Sequence, residues 1–127
     1  MFKISVLGIV SAIVPTKTLN NGLEIPVVSL GTYARDTPTV YDEVTMAFKN
    51  EVYSIDTAHN YCEDGTAGLC PGASIQPAIA KAIKDSDIQR EQLFISTKVA
   101  GCGRYDMGNA TCHEDTLAIA QKNLDEL

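Results

Sequence analysis

Two charged residues stand where an interior strand would not choose them. Asp56 lies towards the end of the apolar run at residues 52–58, and Lys98 towards the end of the run at 93–99. Leaving either charge buried and unpaired is costly, so each needs a partner, and each is a candidate for the other. Strand C-termini are also where α/β barrels place their catalytic groups. Tyr61 follows Asp56 by five residues, where the chain leaves the strand for a loop. A phenol beside a lysine ammonium is a stronger acid than a free one, because the cation favours the phenolate. Asp, Tyr and Lys at the ends of adjacent strands would therefore form a proton-delivery group. Carbonyl reduction needs one, since hydride addition makes an alkoxide that must be protonated. The plainer reading is a structural ion pair between Asp56 and Lys98, and spacing alone does not separate the two.

The three residues can meet only if their segments are neighbouring strands, and the pattern predicts this. Asn21-Gly22 between alternating apolar residues signals a hairpin over residues 18–25, with both turn positions at positive φ. Residues 27–33 then read as a buried strand. Thr37 as N-cap and Pro38 as first helical residue open a helix with Val40, Val44, Ala47 and Phe48 on one face. The cycle repeats with the strand at 52–58 and a helix carrying Ile75, Ile79, Ala82 and Ile83. It repeats again with the strand at 93–99 and a helix opened by a capping box, Thr111 to Glu114. That last helix has Leu117, Ala120, Leu124 and Leu127 as its stripe. Strands alternating with amphipathic helices mean βαβ units around a parallel sheet, an α/β fold. Three parallel strands leave an open edge, and Leu127 falls inside a helical pattern, so the chain reads as the front of a larger protein. A complete three-stranded domain is the alternative.

Composition excludes other classes. Of 127 residues, 45% are hydrophobic and 20% charged, too apolar for disorder. Sixteen Asp and Glu against ten Lys and Arg give a net charge of -6, and no basic cluster occurs, so nucleic acid is not an expected partner. The longest apolar run, residues 4–14, is shorter than the roughly 20 residues that cross a bilayer. With Lys3 before it and Val10-Ser11-Ala12 within it, that run reads either as a secretory signal or as a short leading strand. The boundaries are a leader at 1–16 and a domain at 17–127. Location follows from the leader: secretory or extracellular if it is a signal, cytoplasmic otherwise.

Cys62 and Cys70 share the loop after the second strand, and Cys102 and Cys112 the loop after the third. In an oxidising compartment two local disulfides are the simplest pairing. A zinc site is the rival, though these spacings lack the tight Cys-x-x-Cys pairs of structural zinc; free thiols are the cytosolic alternative.

Four segments resemble the aldo-keto reductase family in order: TLNNGLEIPVVSLGTY (18–33), YSIDTAHNY (53–61), AIAKAIKDSDIQREQLFISTKV (78–99) and DTLAIAQKNLDEL (115–127). The resemblance implies the N-terminal hairpin and about three βα units of a (β/α)8 TIM barrel that reduces small aldehydes and ketones with NADP(H). It implies Tyr61 as general acid, Lys98 as the group that lowers its pKa, and Asp56 as the anchor of Lys98. Gly31, Thr32 and Tyr33 match the segment beside the nicotinamide, and the family's His closing the fourth strand would lie beyond Leu127. His59 could touch substrate, although a solvated loop histidine is the plainer reading. The likeness has departures: Glu51 precedes the catalytic strand where the family usually has Gly, residues 62–73 read as an insertion, and Gln76 and Ala80 stand where it has Glu and Gly. No GxGxxG motif follows a strand, so a Rossmann cofactor site has no support. The rival function is a non-catalytic binding module or remnant, stapled by disulfides or a metal.

Overall fold

The computed structural model describes residues 14–68, 70, 72–99 and 112–127. The leader lies almost wholly outside the described residues, as do Cys102 and Thr111. The chain opens with a hairpin of β1 (Thr16–Thr18) and β2 (Glu24–Pro26), antiparallel with Lys17 opposite Ile25. It continues through β3 (Leu30–Gly31), α1 (Thr37–Lys49), β4 (Ser54–Asp56), α2 (Gln76–Lys84), β5 (Phe94–Ser96) and α3 (Cys112–Glu126). Strands β3, β4 and β5 form a parallel sheet in that order.

The apolar stripes explain the packing of α1 and α2. Val40, Val44 and Phe48 of α1 and Ile79 and Ala82 of α2 are buried together with Ile55 at the centre of β4. The strands proper are shorter than the apolar runs that predict them. Val27 and Val28 lie outside β3 and are half exposed. Single ladder bonds nevertheless run on, from Phe94 N to Tyr53 O at 3.0 Å to His59 N to Lys98 O at 3.4 Å.

Three local expectations are corrected. Glycine alone carries positive φ in the hairpin loop: Gly22 has φ 85° and Asn21 does not share it. Leu19 N donates to Leu23 O and Gly22 N to Leu19 O, a three-residue loop with a glycine bulge rather than a two-residue turn. The N-cap of α1 is Asp36, whose carboxylate accepts from Thr39 N at 3.0 Å, while Thr37 is already helical. Finally, the apolar stripe of α3 is only partly buried. Leu127 packs against the core cluster and Ala120 is half-buried, but Leu117 and Leu124 are exposed. The buried residue of the helix is Asn123, hydrogen-bonded to Gln76 of α2.

The end of α1 carries strain. Glu51 adopts φ 61°, the left-handed region, with Glu51 N bonded to Phe48 O and Val52 N to Ala47 O. That is a Schellman cap, whose left-handed position favours glycine.

Candidate active site

The parallel register brings the charged residues together. Asp56 pairs with Ser96 across β4 and β5. Side chains alternate along a strand, so Asp56, Ser96 and Lys98, two residues on, share a face of the sheet. Lys98 Nζ lies 2.5 Å from Asp56 Oδ1, 2.9 Å from the Thr57 carbonyl and 3.4 Å from the Tyr61 hydroxyl. An ammonium has three donors, and here each has an acceptor. The same nitrogen sits 5.2 Å from the Tyr61 ring centroid. Burial works against the Lys98 charge, but the hydrogen bonds it donates to Asp56 and Tyr61 outweigh it and hold the ammonium above its ordinary pKa.

Both ends of the Lys98–Asp56 pair are nearly half exposed, at 48% and 43%. Solvent screens such a pair, so it fixes position more than it adds stability. The plainer reading, a buried structural ion pair, does not fit that exposure.

Tyr61 is placed by the loop that follows β4. Tyr61 N donates to Ala58 O, and Ile75 N donates to Tyr61 O at 2.9 Å. Cys62 is bonded to Cys70, with Cα atoms 5.1 Å apart, which ties the loop immediately after the tyrosine. Cys112 is disulfide-bonded as well. Among the described residues no cluster of His, Cys, Asp or Glu could hold a metal ion.

The ring of Tyr33 meets that of Tyr61 edge-on, centroids 5.2 Å apart, and Tyr33 is 62% exposed. Gly31 is exposed, and a Cβ there would meet nothing within 4 Å. Thr32 faces inward: it is fully buried, and its hydroxyl donates to the Asp56 carbonyl at 3.0 Å.

His59 is neither solvated nor free, contrary to the plainer sequence reading. Its Nδ1 lies 3.3 Å from Glu126 Oε2 near the end of α3, and both side chains are mostly buried. Burial raises the Glu126 pKa, but hydrogen bonds from Gln76 and Ser74, together with His59, leave the carboxyl below its ordinary value. Nothing in the sequence marks Ser74, Asn123 or Glu126 for this site, and Gln76 stands out there only as a departure from the family pattern. A further signal existed for Gln76: it lies three residues before Ile79, so a polar group sits on the buried stripe and demands a partner.

The sequence model of the Aldo/keto reductase family matches residues 28–126. Glycerol 2-dehydrogenase (NADP(+)) of Saccharomyces cerevisiae is 34% identical over 104 residues, 82% of this chain and 27% of that protein. Glyoxal reductase of Bacillus subtilis is 34% identical over 88% of this chain and 34% of its own length. An aldo/keto reductase structure from Brucella melitensis superposes with a TM-score of 0.67 at 29% identity, covering 89% of this chain and 36% of that one. The Bombyx mori aldo-keto reductase in complex with NADP superposes with a TM-score of 0.62 at 26% identity, over 89% and 34% of the two chains. The chain thus spans about a third of the length of the relatives it matches. Its three parallel βα units are part of the barrel these structures share, and the chain belongs to the aldo-keto reductase family.

Proposed function

We propose that these residues are the proton-delivery part of an NADP(H)-dependent reductase of small aldehydes and ketones. NADPH would supply the hydride to the carbonyl carbon. The Tyr61 hydroxyl gives its proton to the carbonyl oxygen as negative charge develops there. Lys98, beside that hydroxyl, stabilises the phenolate left behind, and Asp56 holds Lys98 in place. The observation that carries this reading is the use of all three Lys98 donors, one on the phenol and two on the anchoring strand end.

The residues present suit a flat cofactor ring at the strand ends. The backbone at Gly31 faces open space, and the exposed Tyr33 ring borders the Tyr61 side. Gly31 and Tyr33 would flank the nicotinamide; Thr32, through its bond to Asp56, would keep β3 against β4. Three βα units cannot enclose a barrel, so turnover belongs to the closed barrel. Turnover by the 127-residue stretch alone would contradict this. The Cys62–Cys70 disulfide supports an oxidising compartment for the mature protein.

Lys98→Met in the full-length chain tests the assignment. It removes the ammonium, leaves Asp56 unpaired, and should lower kcat by about 10²–10⁴-fold, the usual range for general acid catalysis. Because the pair is half exposed, Tm should fall little. Near-normal kcat with a large drop in Tm would mean that Lys98 is structural.

A further inference from the structure

Beneath the strand ends runs a layer of polar side chains that proton delivery does not itself use. Gln76 has no exposed surface, and Asn123 is 3% exposed. Gln76 Nε2 donates to Asn123 Oδ1 and to Glu126 Oε2, both at 2.8 Å. Gln76 Oε1 accepts from the Thr97 hydroxyl at 2.5 Å. Asn123 Nδ2 donates to the Lys98 carbonyl at 3.4 Å, and Glu126 also accepts from Ser74 at 2.8 Å and faces His59.

Where this layer ends is informative. On one side it holds Thr97 and the main chain of Lys98; on the other it holds His59, between Asp56 and Tyr61 in the chain. The segment that carries Lys98 and the segment that leads into Tyr61 are thus both tied to one buried amide, directly at Thr97 and through Asn123 and Glu126 of α3 at Lys98 and His59. Hydrogen bonds are directional and buried ones are costly to break, so such a layer sets positions more sharply than sliding apolar contacts do.

We propose that Gln76 is a positioning residue for the reductase reaction: bridging Thr97 to Asn123 and Glu126, it keeps the Lys98 ammonium in hydrogen-bond reach of Tyr61. The inference rests on the reading of Tyr61 and Lys98 given above. Only an amide suits the place, with two donors for Glu126 and Asn123 and an acceptor for Thr97. A carboxylate there would meet Glu126 with like charge and leave Asn123 Oδ1 without a donor.

Three variants of the full-length chain test this: Gln76→Glu, Glu126→Gln, and the double exchange. Each is near-isosteric, and the double variant restores one amide and one carboxylate across the contact. Three readouts are taken: kcat and KM, Tm, and the pH midpoint at which the Lys98 amine becomes open to competitive acetylation, followed by mass spectrometry. Gln76→Glu should lower kcat at least tenfold with cofactor KM nearly unchanged, since small misplacements of reacting groups cost up to about 10²-fold. The Lys98 midpoint should move down towards that of an ordinary lysine. The double exchange relieves the like-charge contact but still leaves Asn123 Oδ1 without its donor, so it should recover only part of both. Should Gln76→Glu fail to fold, Thr97→Val cuts the direct Gln76 link to the Lys98 strand, leaving the Asn123–Lys98 bond, and should shift kcat and the midpoint in the same directions by less. An unchanged Lys98 midpoint and kcat, with Tm alone reduced, would overturn the proposal. The midpoint needs no turnover, so it still reports on Gln76 if the catalytic reading of Tyr61 fails.

Discussion

The two faces of α2 are built on different physics. Towards α1 the contact is apolar: Ile79 and Ala82 are buried against Val44 and Phe48 in one continuous cluster with Ile55. Towards α3 it is an amide and a carboxylate, Gln76 against Asn123 and Glu126, closed at 2.8 Å. The apolar face stabilises the unit in proportion to the surface it buries. The polar face adds little net stability per bond but fixes geometry, because its groups have no equivalent alternative partners. The polar face is also the one that lies next to Lys98 and His59.

That contrast can be broken in graded steps. Ile79→Ala, which opens a cavity in the apolar cluster, should cost about 2–5 kcal/mol in denaturant unfolding. A loss under 1 kcal/mol would mean that the cluster does not hold α1 to α2. Asn123→Ala should cost less, about 1–3 kcal/mol, the penalty for buried partners left unsatisfied.

Acid should separate the two faces without any substitution. The Glu126 pKa is lowered in the folded chain, so its contribution is complete above the unfolded carboxylate value and lost as pH falls through the folded one. Hydrogen exchange should therefore show α3 opening below the ordinary carboxylate range while α1 stays protected. Simultaneous opening of both helices would contradict this. The smallest expected effect has the opposite sign. Glu51→Gly relieves a left-handed backbone at the cap of α1 and should stabilise by about 1 kcal/mol. A fall in Tm would show that the Glu51 side chain contributes more than its backbone costs.

The same contrast explains what was legible in the sequence. Helices α1 and α2 announce themselves because Val40, Val44, Phe48 and Ile75, Ile79, Ala82 recur with the period of a helix. Asp56, Tyr61 and Lys98 stood out because ionisable groups at strand ends need a reason. The α3 stripe is legible only in part: Leu127 packs on the core while Leu117 and Leu124 are exposed, and the buried Asn123 is held by a bond between residues 47 positions apart. No local periodicity encodes that. The hairpin loop and the Asp36 cap were missed by one residue each, since Asn-Gly and Thr-Pro fit more than one turn or cap geometry.

The central claim is that Tyr61 delivers the proton. Its most direct test is Tyr61→Phe in the full-length chain, with kcat for an aldehyde and the NADPH dissociation constant measured on the same protein. The account predicts a kcat lower by about 10²–10⁴-fold or more, with cofactor affinity and Tm near normal. A Tyr61→Phe enzyme that keeps the original kcat would contradict it.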